Sequence, residues 1–482
     1  MTKQTHNFNN NEDFLFREEV HSIKRHLRIE TILLFILLAG TFGAMVFLFK
    51  DYSGISITIS ISAMISAFYL ILMVFKLYVV YKSKSKPLIL ITEDELKAIK
   101  DSDLPLYTII VPLYREERVV PQIIDAMSSI DYPKEKLEII ITVEQYDTQT
   151  RNAIEILNPP TNFKTLVLPD VTPKTKPKAL NVAFGETKGD YLVIYDAEII
   201  PDRNQLKKAF LAFKKYPEVG CLQTRLDHYN VNENIITRLF NAEFSFYYDL
   251  FLPGLTQLGF PVPLSGHSTH FRRQVIEDIG AWDPYNVAED CDAGIMLNRA
   301  GWKTDILDSV SQEEATGDLG SWVRQRTRWM KGVIQTSIVH LRHPLAFIRE
   351  VGGLKNFTGF LLTVPGTVLI NFFNLFYWFL LIGWITTGST TIKYFFPGPI
   401  LYVSFISFIL GNFIFTFLNL VGSYKRGRYS MVKYSLMSPF YWILLAYATV
   451  RAVFQIVIRP HHWEKTVHRY YVNYPTLSVQ TA

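Results

Sequence analysis

Long apolar runs near both ends of the chain predict helices that cross a membrane. Residues 31–49 and 55–80 are each apolar over the roughly 20 residues that a helix needs to span a bilayer. Three more apolar runs, residues 357–387, 400–421 and 436–458, follow a more polar middle region. We therefore expect an integral membrane protein in which a water-exposed domain lies between two groups of apolar helices.

The middle of the chain, residues 104–343, has the pattern of an α/β domain. Short β-branched runs alternate with helical stretches and predict strands at residues 107–112, 137–143, 165–168 and 191–195. This alternation is typical of a mostly parallel sheet with helices on its faces. Ligands bind beyond the carboxyl ends of the strands in such sheets, so the residues that follow the strands are the first functional candidates.

Acidic side chains follow three of the predicted strands. Because these strand ends meet at one edge of the sheet, the carboxylates would repel each other unless a cation or a bound ligand compensates them. The spacing of Asp196 and Glu198 suits Mg²⁺ or Mn²⁺ held against a diphosphate. For Glu144 alone, a helix N-cap is the alternative. The candidates after the three strands are Tyr114 and Glu116, then Glu144, then Asp196 and Glu198.

A second set of candidates lies further along the chain. Two cations and an indole, in the segment from Gln325 to Trp329, come just ahead of an apolar run, which suggests an anionic leaving group and a sugar face; a membrane-interface anchor is the alternative. Upstream, Glu289 and Asp290 form an acidic pair at the start of a helical stretch. One carboxylate there could act as a general base, although a helix cap could use the same position.

The distribution of charge favours membrane orientation over nucleic-acid binding. The formal net charge is +5, but the cations are concentrated beside the apolar runs, with three in residues 24–28 and three in residues 82–86. By the positive-inside rule both flanks are cytoplasmic, which puts the middle domain in the cytoplasm of a multi-pass plasma-membrane protein. Residues 1–30 are polar and predict a disordered cytoplasmic tail. Cys221 and Cys291 are too few for a disulfide framework.

With these motifs, residues 107–468 resemble the processive, membrane-embedded branch of glycosyltransferase family 2, which contains bacterial cellulose, curdlan and hyaluronan synthases. The resemblance implies a GT-A fold, the nucleotide-diphospho-sugar transferase domain, inserted between transmembrane helices. It also implies inverting transfer from a UDP-sugar, with the polysaccharide passing through a channel in the same chain.

The resemblance also implies roles for individual residues. Asp290 would be the catalytic base beside Glu289, and Asp196 with Glu198 would replace the usual Asp-X-Asp metal motif. The donor would be bound by Tyr114, Glu116, Glu144, Lys176 on the uracil side, Asp196, Arg326 and Arg328. The acceptor would contact Ser265, Gly266, His267, Gln325 and Trp329, and a weaker likeness to a gating loop covers Trp463, Lys465 and Thr466.

The last apolar run presents a problem of topology. If all three late runs crossed the membrane, the tail with the gating candidates would be outside, away from a cytoplasmic donor. Arg451 lies deep in that run and Pro439 interrupts it, so we predict an interfacial or re-entrant helix over residues 431–458. Two transmembrane helices then occupy residues 357–421, as another two occupy 31–86, and residues 459–482 form a cytoplasmic tail. A tail that binds lipid headgroups is the alternative.

These observations predict a processive inverting transferase that polymerises a UDP-sugar, with UDP-glucose the first choice and UDP-N-acetylglucosamine the second. The alternatives are a transferase that adds a single sugar to a lipid carrier, and an inactive transporter or scaffold. A sugar acceptor stacked on Trp329 favours the first, and the retained acidic residues argue against the last. The expected partners are the donor, the growing polysaccharide and membrane lipids, with accessory subunits or a homo-oligomer left open.

Overall fold

The computed structural model describes residues 54–85, 88–389, 396 and 398–464. The predicted N-terminal tail, the predicted first span and the gating candidates Lys465 and Thr466 lie outside these residues.

A seven-stranded mixed sheet forms the middle domain, in the order β3-β2-β1-β4-β6-β5-β7. β6 is antiparallel to both of its neighbours, and the other neighbouring strands are parallel. The four predicted strands are present, and β5, β6 and β7 are additional. The strands are β1 Tyr107–Leu113, β2 Leu137–Glu144, β3 Phe163–Leu168, β4 Tyr191–Ile194, β5 Val219–His228, β6 Thr269–Arg272 and β7 Lys303–Glu313.

Helices cover both faces of the sheet because the central strands are apolar on both sides. In β1, Ile109 and Val111 belong to one hydrophobic cluster and Ile110 to another, as the alternation of side chains in a strand requires. The described helices of this domain and its N-terminal approach are α2 Glu93–Ala98, α3 Val120–Ser128, α4 Thr148–Leu157, α5 Lys176–Glu186, α6 Gln205–Lys215, α7 Ile235–Phe246, α8 Leu252–Leu258, α9 Arg273–Asp278 and α10 Glu289–Arg299.

A long helix, α11 Leu319–Leu341, closes the domain and packs against the start of α10. The close approach needs a glycine: a Cβ on Gly332 would lie 2.2 Å from the Cβ of Ala288. This contact brings the acidic pair at the start of α10 beside the cations of α11. Two short helices follow, α12 Pro344–Glu350 and α13 Leu354–Thr363.

Four helices in the described part of the chain are long and apolar enough to cross a membrane, judged by length and composition. The apolar run at residues 357–387 is divided, because α13 ends at Thr363 and a new helix begins at Pro365. The four helices are α1 Gly54–Ser83, α14 Pro365–Thr387, α15 Pro399–Lys425 and, after the short α16 Val432–Ser435, α17 Ser438–Ile458.

Helix α17 lies alongside α11 and runs in the same direction. It is one continuous helix, and Pro439, expected to interrupt it, lies in its first turn, where proline is tolerated. Contacts with the catalytic domain along the length of α17 favour a path at the membrane interface over a membrane crossing. The interfacial path stays a prediction. The contacts join Trp322 to Tyr441 at 3.1 Å, Thr327 to Arg451 at 3.1 Å, Lys331 to Gln455 at 3.3 Å and Gln335 to Pro460 at 2.9 Å.

Candidate active site

Lys176 joins three of the predicted site segments. It begins α5, and its ammonium donates to Asp196 Oδ1 at 2.5 Å and to the carbonyl of Gly266 at 3.1 Å, with Glu289 Oε1 at 3.6 Å. Burial opposes its charge, but Asp196, Glu289 and Asp290 outweigh burial and raise the pKa of Lys176. The ammonium therefore balances the carboxylate cluster, and the uracil-side contact that the resemblance implied stays a prediction.

The acidic pair begins α10, as its helical pattern predicted. Burial is the largest influence on both carboxyl groups and raises the pKa of Asp290, while Lys176 lowers it. Burial also raises the pKa of Glu289 to about 7, again against the effect of Lys176. Asp290 Oδ1 accepts a hydrogen bond of 2.7 Å from the backbone N–H of Cys291, which fixes the direction of the carboxylate. The pair can thus exchange a proton near neutral pH.

The predicted acceptor loop presses against Asp290. Gly266 has φ +64, and a Cβ placed on it would lie 2.5 Å from Asp290 Oδ2, so glycine is needed for both its conformation and its closeness. Its neighbours are held by Tyr248, whose hydroxyl bonds to Ser265 Oγ at 2.5 Å and to His267 Nε2 at 3.0 Å. Burial lowers the pKa of His267 to about 4, so this imidazole is neutral at pH 7.

The two arginines of α11 have different surroundings. Arg326 forms two hydrogen bonds with Glu243, of 3.0 and 2.6 Å, and its Cζ lies 4.5 Å from the centre of the Trp329 ring. Its charge is paired and its guanidinium supports Trp329, while the predicted donor contact of Arg326 stays a prediction. The buried Nε of each arginine has no hydrogen-bond partner among the described residues, but Arg328, which lies in the field of Glu289 and Asp290, forms no described ion pair like that of Arg326 with Glu243. Arg328 is therefore the arginine placed for an anionic ligand.

The predicted acceptor residues of α11 line the same cavity. Trp329 is half-buried, with its ring centre 6.2 Å from Phe240 and 6.1 Å from Phe244. Gln325 is buried, and its Oε1 accepts from the Thr316 hydroxyl at 3.3 Å. The indole therefore forms part of an aromatic wall.

The predicted donor side lies at the ends of β1 and β2. Glu144 Oε1 accepts from the buried Lys178 ammonium at 2.6 Å, whereas its buried Oε2 has no partner within the described part of the chain. That oxygen can accept from an N–H or hydroxyl group of a ligand. Tyr114 and Glu116 line the same cavity, and the Tyr114 ring packs edge-on against Tyr146.

Glu313 is a site residue that sequence reasoning missed. It ends β7, which the sequence pattern did not predict, and it lines the cavity. Burial first, and then Glu198 and Asp196, raise the pKa of Glu313 well above its usual value. The sequence feature that could have indicated this site is the acidic pair Glu313–Glu314, which follows the same strand-end pattern as the other candidates.

Two carboxylates, Asp196 and Glu198, with Glu313 near them, supply the hard oxygen atoms that a divalent cation prefers. Over the described ranges, no cluster of three or more His, Cys, Asp or Glu side chains is arranged to hold a metal ion. The donor set therefore fits a cation shared with a phosphate ligand better than a site built wholly from protein, since Mg²⁺ is often bound by one or two carboxylates plus substrate phosphates.

The segment after α17 returns to this site. Trp463 covers Arg328, whose Cζ lies 4.4 Å from the centre of the indole ring. Glu464 accepts two hydrogen bonds from Arg451, of 2.8 and 2.6 Å, and Lys331 donates to the carbonyl of His462 at 2.6 Å. The charge of Arg451, which argued against a spanning helix, is thus paired with the tail.

One cavity of about 980 Å³ is lined by the carboxylates, Lys176, Arg328, Trp329 and Trp463. It reaches from the carboxylates into the apolar helices, where polar side chains from α1, α14 and α15 line it. Sequence reasoning did not single these out, because each lies alone in an apolar run. They are Tyr69, Lys76, Asn371, Asn374 and Asn419.

Comparisons with known proteins agree with this geometry. Residues 105–332 match the family described as glycosyltransferase-like family 2. The match covers the mixed α/β sheet that apolar helices flank, and it confirms the predicted fold class and, for this domain, the glycosyltransferase class of enzyme.

Two curated relatives are glycosyltransferases by name. The chain is 27% identical over 233 residues to the probable glycosyltransferase YdaM of Bacillus subtilis, covering 48% of this chain and 56% of that protein. It is 27% identical over 236 residues to the beta-monoglucosyldiacylglycerol synthase of Trichormus variabilis, covering 48% and 50%. The chain thus spans about half the length of these relatives.

Solved structures are similar at lower identity. The mannosyltransferase PcManGT from Pyrobaculum calidifontis, in complex with GDP-Man and Mn²⁺, is 16% identical with a TM-score of 0.48, covering 80% of this chain and 99% of that one. TarS of S. aureus, residues 1–349, is 13% identical with a TM-score of 0.38, covering 69% and 90%.

Proposed function

We propose that this protein is a processive inverting glycosyltransferase that polymerises a UDP-linked sugar, with UDP-glucose the first candidate, into a β-linked polysaccharide and translocates that polysaccharide across the membrane. The observation that carries this proposal is the single cavity that joins the carboxylate cluster to the apolar helices. A polymer that grows beside Asp290 could pass through this cavity from the site of transfer to the apolar helices.

The lining of that path supports a sugar polymer. Asn371, Asn374 and Asn419 face the cavity from helices that are otherwise apolar. Polar groups at membrane depth are costly and commonly mark a substrate path. Amide groups can both donate and accept hydrogen bonds, which suits sugar hydroxyls.

The proposed chemistry uses residues on opposite sides of the reacting carbon. Asp290 accepts the proton of the acceptor hydroxyl, and that oxygen forms the new bond as the bond to the diphosphate breaks. Arg328 stabilises the charge that develops on the diphosphate, and Glu144 Oε2 accepts from the donor nucleoside. A divalent cation on Asp196 and Glu198 would neutralise part of the diphosphate charge. Trp329 stacks on the acceptor sugar, and Trp463 covers the donor.

A single-sugar transfer to a lipid is the second candidate. Its support is the similarity to beta-monoglucosyldiacylglycerol synthase, together with a cavity that enters apolar helices. In both cases we propose a multi-pass plasma-membrane protein with a cytoplasmic catalytic domain.

The test is the size of the product. Membranes or purified protein are incubated with radiolabelled UDP-glucose and, separately, UDP-N-acetylglucosamine, and products are separated by size and by organic extraction. We expect a long polymer that resists extraction and a β-linkage. The Asp290→Asn variant serves as control and should lose at least about 10²-fold of the rate, the usual contribution of a general base. A product confined to the organic phase would favour the second candidate, and no product with any donor would contradict both.

A further inference from the structure

Lys76 is the sole charged residue of the sequence between Gly54 and Tyr81, and it lies inside an apolar helix. Its half-buried side chain lines the cavity that contains the carboxylate cluster. A charge within a membrane helix is expensive and usually faces a partner or a functional cavity. The position therefore requires an explanation that the proposed chemistry does not provide.

The surroundings of Lys76 offer little compensation. Its Nζ lies 4.7 Å from the centre of the Phe415 ring, and no hydrogen bond or ion pair to another described residue accompanies that contact. Glu243 is the acidic group whose field acts on it, but both Glu243 oxygens are already bonded to Arg326. An ammonium that lines a cavity without a described ion pair can bind the anionic group of a ligand that enters the cavity.

The depth of Lys76 indicates which anion is within reach. Helix α1 ends at Ser83, seven residues after Lys76, which places Lys76 about 10 Å along the axis from that end. The headgroup layer of one leaflet is roughly 5–8 Å thick. With the helix end taken as the membrane surface, Lys76 lies just below the headgroup layer, where lipid phosphates are the nearest anions of the bilayer.

The same position lies next to the proposed acceptor site. Lys76 is near Glu243, Glu243 binds Arg326, and Arg326 stacks on Trp329. An anion at Lys76 would therefore be one layer of side chains from the acceptor platform, on the membrane side. A lipid whose phosphate binds there would have its headgroup in the cavity that also contains the carboxylates.

We propose that Lys76 binds the phosphate of an anionic membrane lipid and that this lipid is the first acceptor of sugar. The inference rests on the proposed glycosyl transfer. A headgroup hydroxyl gives its proton to Asp290, its oxygen bonds to the anomeric carbon, and the bond from that carbon to the UDP diphosphate breaks. The glycolipid so formed is then elongated, so lipid priming and polymer synthesis use one cavity.

The first measurement is lipid retention by the full-length protein, independent of catalysis. Protein from nanodiscs of phosphatidylcholine mixed with phosphatidylglycerol is examined by native mass spectrometry. We expect Lys76→Gln to retain at least about tenfold less phosphatidylglycerol, the lower end of the effect of a hydrogen bond to a charged group. Lys76→Arg should retain it as the wild type does. Lys82→Gln, a cation on the same helix that does not line the cavity, should lose at most about fivefold, the effect of one lysine near an anionic surface.

The second measurement is priming. Transfer from labelled UDP-glucose should start faster with phosphatidylglycerol than with phosphatidylcholine alone, and Lys76→Gln should lose this difference while it still extends an added oligosaccharide. If the Gln variant does not purify as a single species, the near-isosteric Lys76→Met takes its place.

Three results would overturn the inference. The first is equal lipid retention by Lys76→Gln and the wild type, and the second is an equal loss in Lys82→Gln. The third is displacement of the lipid by inorganic phosphate at low concentration, which would assign the site to free phosphate. Absence of sugar transfer by the wild type would contradict the proposed function, whereas lipid retention would still decide the role of Lys76.

Discussion

At the scale of single residues, the site depends on how closely its groups are pressed together. Gly266 leaves no room for a Cβ beside Asp290, Lys176 balances several carboxylates, and Arg328 keeps a buried N–H without a partner among the described residues. Unmet hydrogen-bonding capacity of this kind is costly in a folded protein, so it is typical of a place where a ligand completes the structure.

Gly266→Ala should abolish transfer with only a moderate loss of stability. The new methyl group would lie 2.5 Å from Asp290 Oδ2 and would displace the carboxylate, while the positive φ costs about 1 kcal/mol for a residue with a Cβ. Gly259→Ala is the matched control, because it has φ +70 and nothing within 4 Å of its Cβ position. Gly266→Ala should lose more thermal stability than Gly259→Ala because of the contact with Asp290, and only Gly266→Ala should lose activity. Equal activity in the two would mean that the loop does not need this closeness.

From the raised pKa of Glu289 we predict how kcat/KM and stability depend on pH. Because the pKa of Glu289 is raised to about 7, kcat/KM should fall as the pH drops below about 7, when the pair holds a proton in the free enzyme. The raised pKa also means that the folded protein favours the protonated form of Glu289. Protonated Glu289 therefore stabilises the folded state at low pH, and this stabilisation is lost as the pH rises through about 7.

Glu289→Gln tests both effects. The acid limb of kcat/KM should move to lower pH, because only Asp290 then titrates, and the loss of stability with rising pH should become smaller. Rate profiles and thermal unfolding measured across the same buffers provide the check. An acid limb that stays in place would assign it to a group outside the pair.

At the scale of elements, the pairing of α11 with α17 organises the site. Tyr441 on α17 bonds to Glu243 at 2.7 Å and to Arg326 at 2.9 Å, and further along the helix Arg451 holds Glu464. The tail that carries Trp463 is thereby fixed against the face of α11 that carries Arg328.

Charge reversal tests this arrangement. Arg451→Glu and Glu464→Arg should each raise the donor KM, because either change releases Trp463 from Arg328. The double variant should recover part of the loss, with a coupling of about 0.5–3 kcal/mol, as expected for residues in contact. The exposed pair of Lys164 and Glu186, at 2.7 Å, is the control, and its reversal should leave the donor KM unchanged. Strict additivity of the two single changes would exclude the proposed role of the pair.

The sequence pattern was informative where elements are buried on both faces. β1, β2 and β4 are rich in β-branched and other apolar residues, because strands within a parallel region are covered on both sides. β7 was not predicted because its buried Ser309 and Ser311, which accept hydrogen bonds from Gln205, interrupt the apolar pattern of a strand. Likewise, the pairing of Arg326 with Glu243 joins residues 83 positions apart, and no local pattern reports such a contact.

At the scale of the whole molecule, the open question is the side on which the chain ends. The contacts of α17 with the catalytic domain favour a cytoplasmic end, although its length and composition would also permit a crossing. A single cysteine at Ser478, in a protein with Cys221 and Cys291 replaced by serine, should react with a membrane-impermeant maleimide only after the cells are opened. Labelling of intact cells would place the tail outside and would remove Trp463 from a cytoplasmic donor site.

The hydroxyl of Tyr441 is a point where bilayer mechanics can enter the chemistry. It bonds to Glu243 on α7 and to Trp322 and Arg326 on α11, and Arg326 lies against the Trp329 indole. On the predicted interfacial path, α17 would tilt when lateral pressure or lipid thickness changes, and this set of bonds would convert the tilt into a displacement of the indole. If Trp329 binds the acceptor sugar as proposed, the stiffness of the surrounding lipid would then be a physical variable of transfer, alongside the concentrations of donor and acceptor.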